Sequence, residues 1–237
     1  MGVYILMLWL LCTVASAANI AVYKQDPIAD TECAEAIAKV LRTQHHVVLL
    51  DHTHLTHANL SNINVLVFPG GLGDVDEFDD VLLDKKTVVQ QYFASGRVYM
   101  GICMGAYIAG QKYFDLVNDI KIHRYINRPH NQVETDEPCI VKCNWQQRLR
   151  YMYFFDGPVF LGNIKQHEKI ATYSNGDAAA IIKHTRTGVF VGIGPHPESQ
   201  SDWYESKNQR YWHQGDQHAL IRDVLNQALK STKSSIK

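Results

Sequence analysis

The chain has 237 residues, 46% hydrophobic and 20% charged, with a formal net charge of -1. This is ordinary globular composition, long enough for one large domain with a substantial core. The near-neutral balance leaves no electrostatic footprint for nucleic acid, and no basic run marks a membrane surface.

The first 17 residues differ from everything after them. Val3 to Leu11 is almost wholly apolar and carries no charge, and Ala15-Ser16-Ala17 supplies the small-residue pattern of a signal-peptidase site. The segment is too short to span a bilayer comfortably. Although a positive n-region is missing, it reads as a cleaved secretory signal. An uncleaved anchor and an apolar first strand are the alternatives. The expected mature protein is a single domain over residues 18–237, secreted or extracytoplasmic, with no membrane attachment after cleavage. Cleavage removes Cys12 and leaves Cys33, Cys103, Cys139 and Cys143. An oxidising compartment permits one internal pair. Which two pair, if any, is left open by the sequence: Cys139 and Cys143 could chelate a metal with a partner, and since they lie too far apart in an extended strand to bridge each other, the favoured disulfide joins one of them to Cys33. Asn59-Leu60-Ser61 is a glycosylation sequon.

In chain order, Asn19 to Tyr23 is a short apolar strand. Asp30 or Thr31 caps a helix running through Arg42, with Ala34, Ile37, Ala38 and Leu41 on one face. Val47 to Leu50 and Asn64 to Phe68 are further strands, the second ending in Pro69-Gly70-Gly71. Thr87 to Ala94 is helical, and Arg97 to Ile102 is the fourth strand. Strands separated by helical patterns predict a parallel sheet with helices on its faces. Met104 to Lys112 is the next predicted helix. From Phe114 to about Leu161 the pattern turns alternating and aromatic, which predicts a β-rich insertion. Ile170 to Tyr173, Ala178 to Lys183 and Gly188 to Ile193 are strands, Gln217 to Leu229 is a closing amphipathic helix, and Ser231 to Lys237 reads as a frayed tail.

Cys103 stands at the end of the fourth strand within Gly101-Ile102-Cys103-Met104-Gly105, the cysteine form of a nucleophile elbow. Gly101 and Gly105 remove the β-carbons that would crowd the turn, and the helix that follows sets its N-terminus beside the sulfur. The competing reading is a buried, inert thiol. Two other strands end in candidate chemistry. His196 and Glu198 follow the last strand in Gly194-Pro195-His196-Pro197-Glu198 and point the same way in an extended segment. A histidine can take the thiol proton and a carboxylate can hold its tautomer. Gly71 and the amide of Met104 are candidate oxyanion donors. Gly70, Tyr107 and Trp203 are candidates for the substrate pocket, with Tyr204 and Trp212 near Trp203.

Taken together, Leu66-Val67-Phe68-Pro69-Gly70-Gly71, Gly101-Ile102-Cys103-Met104-Gly105-Ala106-Tyr107 and Gly194-Pro195-His196-Pro197-Glu198 resemble the class I glutamine amidotransferase-like superfamily. The resemblance is strongest to the domain at the N-terminus of some biotin–protein ligases, and it covers roughly Asn19 to Glu198. It implies a flavodoxin-like, mostly parallel sheet with helices on both faces. It also implies a Cys103–His196–Glu198 triad, with Gly71 at the oxyanion hole. Tyr107 stands where glutamine-using members carry a glutamine-contacting Gln, and Met104 departs from the relatives that place a His directly after the cysteine. The expectation is therefore a cysteine-dependent hydrolase of a small amide-containing substrate that uses no cofactor and no metal. The alternative is a non-catalytic secreted binding module on the same fold.

Asp51-His52-Thr53-His54-Leu55-Thr56-His57 offers metal-capable side chains, but a solvated loop is the simpler reading. The acidic run Asp74, Asp76, Glu77, Asp79 and Asp80 reads as a solvated helix start.

Overall fold

The computed structural model describes residues 17–74 and 79–234. The signal-type segment, Cys12, Asp76 and Glu77 lie outside the described residues. Five strands form the parallel core: β1 (Asn19–Tyr23), β2 (His46–Leu50), β3 (Val65–Phe68), β4 (Val98–Ile102) and β11 (Val189–Ile193). Their order is β2-β1-β3-β4-β11, every pairing parallel.

The alternation within these strands explains the layering. Ile20, Val22, Val65, Val67, Met100, Ile102, Val191 and Ile193 face one side, where Ile37 and Leu41 of α1 (Thr31–Leu41) and Ile221 and Leu225 of α5 (His218–Ser234) cover them. Ala21, Leu66, Phe68, Tyr99 and Phe190 face the other, under Leu82, Val89 and Phe93 of α3 (Asp79–Ala94) and Ala106 and Ile108 of α4 (Met104–Ile108). Both faces of β1, β3, β4 and β11 are buried, so these strands read as continuous apolar runs, while the edge strand β2 stays partly exposed.

Beyond β11 the sheet becomes antiparallel. β10 (Ala178–His184) pairs with β11 and with β9 (Lys169–Tyr173), then come β6 (Cys139–Trp145) and β7 (Arg148–Phe154). β5 (Ile120–Arg124) and β8 (Pro158–Gly162) form an antiparallel pair that branches off β10. The expected β-rich insertion is this excursion. It ends beside the C-terminal ends of the parallel strands, where open α/β sheets place their ligands.

Four expectations are corrected. α3 starts at Asp79 rather than Thr87; its first turns are acidic and polar, which hides the helical period but suits a helix N-terminus. α4 stops at Ile108 rather than Lys112, so the helix beside Cys103 has five residues and only a short dipole. The tail expected to fray continues α5 to Ser234. Cys33, Cys103, Cys139 and Cys143 are all free thiols, against the expected pair with Cys33. The histidine-rich stretch contains a short helix, α2 (His57–Leu60), capped by the Thr56 side chain. Among the described residues no helix is long and apolar enough to cross a membrane.

Candidate active site

Cys103 caps the end of β4 with φ 50° and ψ −114°, a conformation that L-residues rarely hold. The turn is fixed from both sides. The Cys103 N–H donates to the carbonyl of Ile193 at 2.8 Å, and the Gly105 N–H donates to that of Pro69 at 2.9 Å. A β-carbon on Gly101 would collide with the Gly105 backbone, and one on Gly105 would collide with the Phe68 carbonyl. Strands β3, β4 and β11 thus converge on Cys103, a residue buried at 6% exposure.

His196 and Glu198 follow β11 and sit within the same end of the sheet. His196 Nδ1 lies 2.9 Å from Glu198 Oε1, and both residues are buried. The His196 N–H donates to the carbonyl of Tyr153 at 2.9 Å, which ties the loop to the end of β7. The rings of Tyr153 and Trp203 stand edge-on to the imidazole, with centroids at 5.8 and 5.7 Å. Burial by itself disfavours a charged imidazole, but the charge of Glu198 and then that of Cys103 more than offset it. The net effect raises His196 to about 10. Two polar atoms of this pair, His196 Nε2 and Glu198 Oε2, are buried with no hydrogen-bond partner. The Cys103 thiol donates instead to the Phe155 carbonyl at 3.3 Å.

A cavity of about 710 Å³ opens over Cys103, lined among others by Gly71, Met104, Tyr107, Arg124, Phe155 and Asp156. Gly71 and Met104, the expected oxyanion donors, line the same cavity as Cys103. The Tyr107 hydroxyl donates to the Asp156 carbonyl at 3.0 Å, and Arg124 grips the Asp156 carboxylate at 2.7 and 2.9 Å. Burial, then the neighbouring Cys103 and Asp156, push the Tyr107 phenol up, so it stays neutral. Of the three pocket candidates only Tyr107 lines this cavity. Gly70 and Trp203 pack against His196 instead.

Sequence reasoning missed two groups here. Arg124 and Asp156 reach the site from β5 and the β7–β8 turn, and only the fold brings them to Cys103. Cys33 sits in the first turn of α1, fixed by the Asp30 cap, whose side chain accepts from the Glu32 and Cys33 N–H groups at 3.0 Å each. Ligand atoms of Cys33, His196 and Glu198 lie within 4.8 Å of one another. Burial, then the charges of Glu198, Asp30 and Cys103, push the Cys33 thiol up. The expected histidine loop gathers no comparable group. His52 bonds Tyr23 and Asp84, and His54 bonds Asp51.

The parallel core, the strained cysteine turn and the antiparallel excursion define a class I glutamine amidotransferase-like fold. Two chains from Thermotoga maritima share it: a chain of PurLQS, at 14% identity and TM-score 0.58 over 89% of this chain and 98% of that one, and a glutamine amidotransferase, at 13% identity and TM-score 0.59 over 91% and 97%. An exo-β-1,4-mannosidase from Opitutaceae bacterium strain TAV5 shares it over 88% of this chain but only 36% of its own, at 10% identity and TM-score 0.57. In sequence, residues 18–123 match the family model for the N-terminal domain of biotin-protein ligase, from just before β1 into β5. No curated protein matches the chain.

Proposed function

We propose that the protein is a cysteine-dependent hydrolase of small amides, working through Cys103, His196 and Glu198. The observation that carries this reading is the buried His196–Glu198 pair set beside a cysteine on a strained, glycine-cleared turn. In the reaction the Cys103 proton already rests on the raised His196 as a thiolate–imidazolium pair, and the thiolate adds to the amide carbonyl. The tetrahedral oxyanion forms toward the Gly71 and Met104 amides. His196 then returns its proton to the leaving amine, and water cleaves the acyl-enzyme through the same imidazole acting as base. Glu198 holds Nδ1 and stabilises the imidazolium.

Gly71, Cys103, Met104 and Tyr107 line the cavity together with the ion-paired Arg124 and Asp156. Tyr107 replaces the glutamine-contacting Gln of the glutamine-using relatives, which favours an amide other than free glutamine over glutamine itself. The apolar segment ending at Ala17 supports cleavage and export of the protein.

The test is hydrolysis of a panel of small amides by wild type against Cys103→Ala, together with labelling by a thiol-directed electrophile at mildly acidic pH. Activity lost in Cys103→Ala, and faster labelling of Cys103 than of Cys33, support the reading. Labelling of Cys103 no faster than Cys33 overturns it. A second reading, a binding module on the same fold, is favoured by the Cys103 thiol donating to the Phe155 carbonyl. It predicts tight ligand binding in the cavity that is unchanged in Cys103→Ala.

A further inference from the structure

We propose that Cys33, His196 and Glu198 form a binding site for a zinc-type divalent cation. Cys33 offers a sulfur, His196 an imidazole nitrogen and Glu198 a carboxylate oxygen, and these atoms lie within 4.8 Å of one another. Three protein ligands of mixed sulfur, nitrogen and oxygen character, with one position left open, suit zinc.

Three further observations support a cation here. Glu198 Oε2 is fully buried and has no hydrogen-bond partner. A buried carboxylate oxygen left unpaired is costly, and a cation would satisfy it. Cys33 is only partly buried and is the most exposed member of the cluster. Gly70 leaves the space between the ligands open: a β-carbon there would lie 2.7 Å from His196 Cε1 and 3.2 Å from the Cys33 sulfur. The same point lies 3.5 Å from His196 Nδ1, the nitrogen that meets Glu198 at 2.9 Å.

Binding is an exchange of protons for metal. The cation takes the Nδ1 lone pair, the Cys33 sulfur as thiolate and a Glu198 oxygen, and the displaced protons go to solvent. With Nδ1 metallated, the Nδ1–Glu198 hydrogen bond is gone and His196 cannot cycle a proton. The site therefore doubles as an inhibitory one, a consequence that rests on the hydrolase reading; the binding itself does not.

The experiment titrates the metal-free full chain with Co²⁺ and Zn²⁺, without any substrate. We expect one Co²⁺ per chain with a sulfur-to-cobalt charge-transfer band that Zn²⁺ bleaches. Cys33→Ser and Glu198→Gln should each weaken binding by at least about tenfold, while Cys103→Ser, Cys139→Ser and Cys143→Ser keep the band. Thermal unfolding of each metal-free variant checks that it is folded, and Cys33→Ala stands in if Cys33→Ser is not. The proposal is overturned if wild type gives no sulfur band, if Cys33→Ser keeps it, or if Cys103→Ser alone removes it. Loss of hydrolase activity in the other assay, with the cobalt band intact, would remove the inhibitory consequence and leave the site.

Discussion

Gly105 packs its α-carbon against the carbonyl of Phe68 so closely that no β-carbon fits between them. That carbonyl belongs to the end of β3, and Gly105 opens the turn after Cys103, so one contact fixes the spacing of two strand ends. Gly105→Ala must push β3 and β4 apart or lift Cys103 out of its conformation. We expect a loss of about 2–3 kcal/mol in denaturant unfolding, as for an overpacked core. Gly96→Ala is the comparison. Gly96 has φ 85° but no atom near its would-be β-carbon, so only the backbone conformation resists there, at about 1 kcal/mol. Equal costs at both positions would mean that the Cys103 turn is slack.

His196 and Glu198 should couple strongly. Each satisfies the other in a buried site with little else to bond. Changing His196→Asn leaves a carboxylate buried beside Cys33 without its charged partner, which typically costs about 3–5 kcal/mol. Glu198→Gln leaves the imidazole without its counter-charge. The double variant His196→Asn, Glu198→Gln should cost less than the sum of the two, with the shortfall exceeding about 1 kcal/mol. Additive losses in a double-mutant cycle would show that the 2.9 Å contact carries little energy.

The same pair sets a pH dependence. His196 is raised to about 10 in the folded chain, against burial, by Glu198 and Cys103. An unfolded histidine titrates near 6.5. A raised folded value means that the folded state binds the proton more tightly. Its stabilisation is therefore complete below about pH 6.5 and is lost as pH rises through about 10. In metal-free buffer, the stability advantage of wild type over the double variant should shrink steadily from pH 6.5 to 10. An advantage that is flat or growing across that window would contradict the assignment.

Much of the site was legible because strand ends announce themselves. Pro69-Gly70-Gly71, Cys103 and His196-Pro197-Glu198 each close an apolar run, and in a parallel sheet such ends share one edge. The inner parallel strands β1, β3, β4 and β11 were legible because burial on both faces writes them as apolar runs. What lay hidden depends on long-range packing. Cys33 looks like one small residue on an amphipathic helix; only the Asp30 cap and the Gly70 approach bring it to Glu198. Phe155, Arg124 and Asp156 come from an excursion whose pairing order, β9-β6-β7 and β5-β8, is not set by local pattern. α2 was hidden by four turn-forming and polar residues around a single buried Leu60.

Lys183 tests the far side of the sheet from this chemistry. On β10 it is 5% exposed, and its ammonium meets Asp119 at 3.0 Å and Glu168 at 3.5 Å and donates to the Asn163 carbonyl at 2.6 Å. Glu168 is itself buried, and its other bond goes to the Lys165 N–H at 2.8 Å. Lys183→Met keeps the length of the stem but leaves Glu168 without a cation, so we expect a loss of about 3 kcal/mol. Adding Glu168→Gln should recover part of it, because the uncompensated charge goes with it. Cys103 labelling should be unchanged in both variants, since Lys183 touches none of Cys103, His196 or Glu198 among its contacts. A fall in Cys103 reactivity in folded Lys183→Met would instead mean that β10 holds the position of β11, and with it His196.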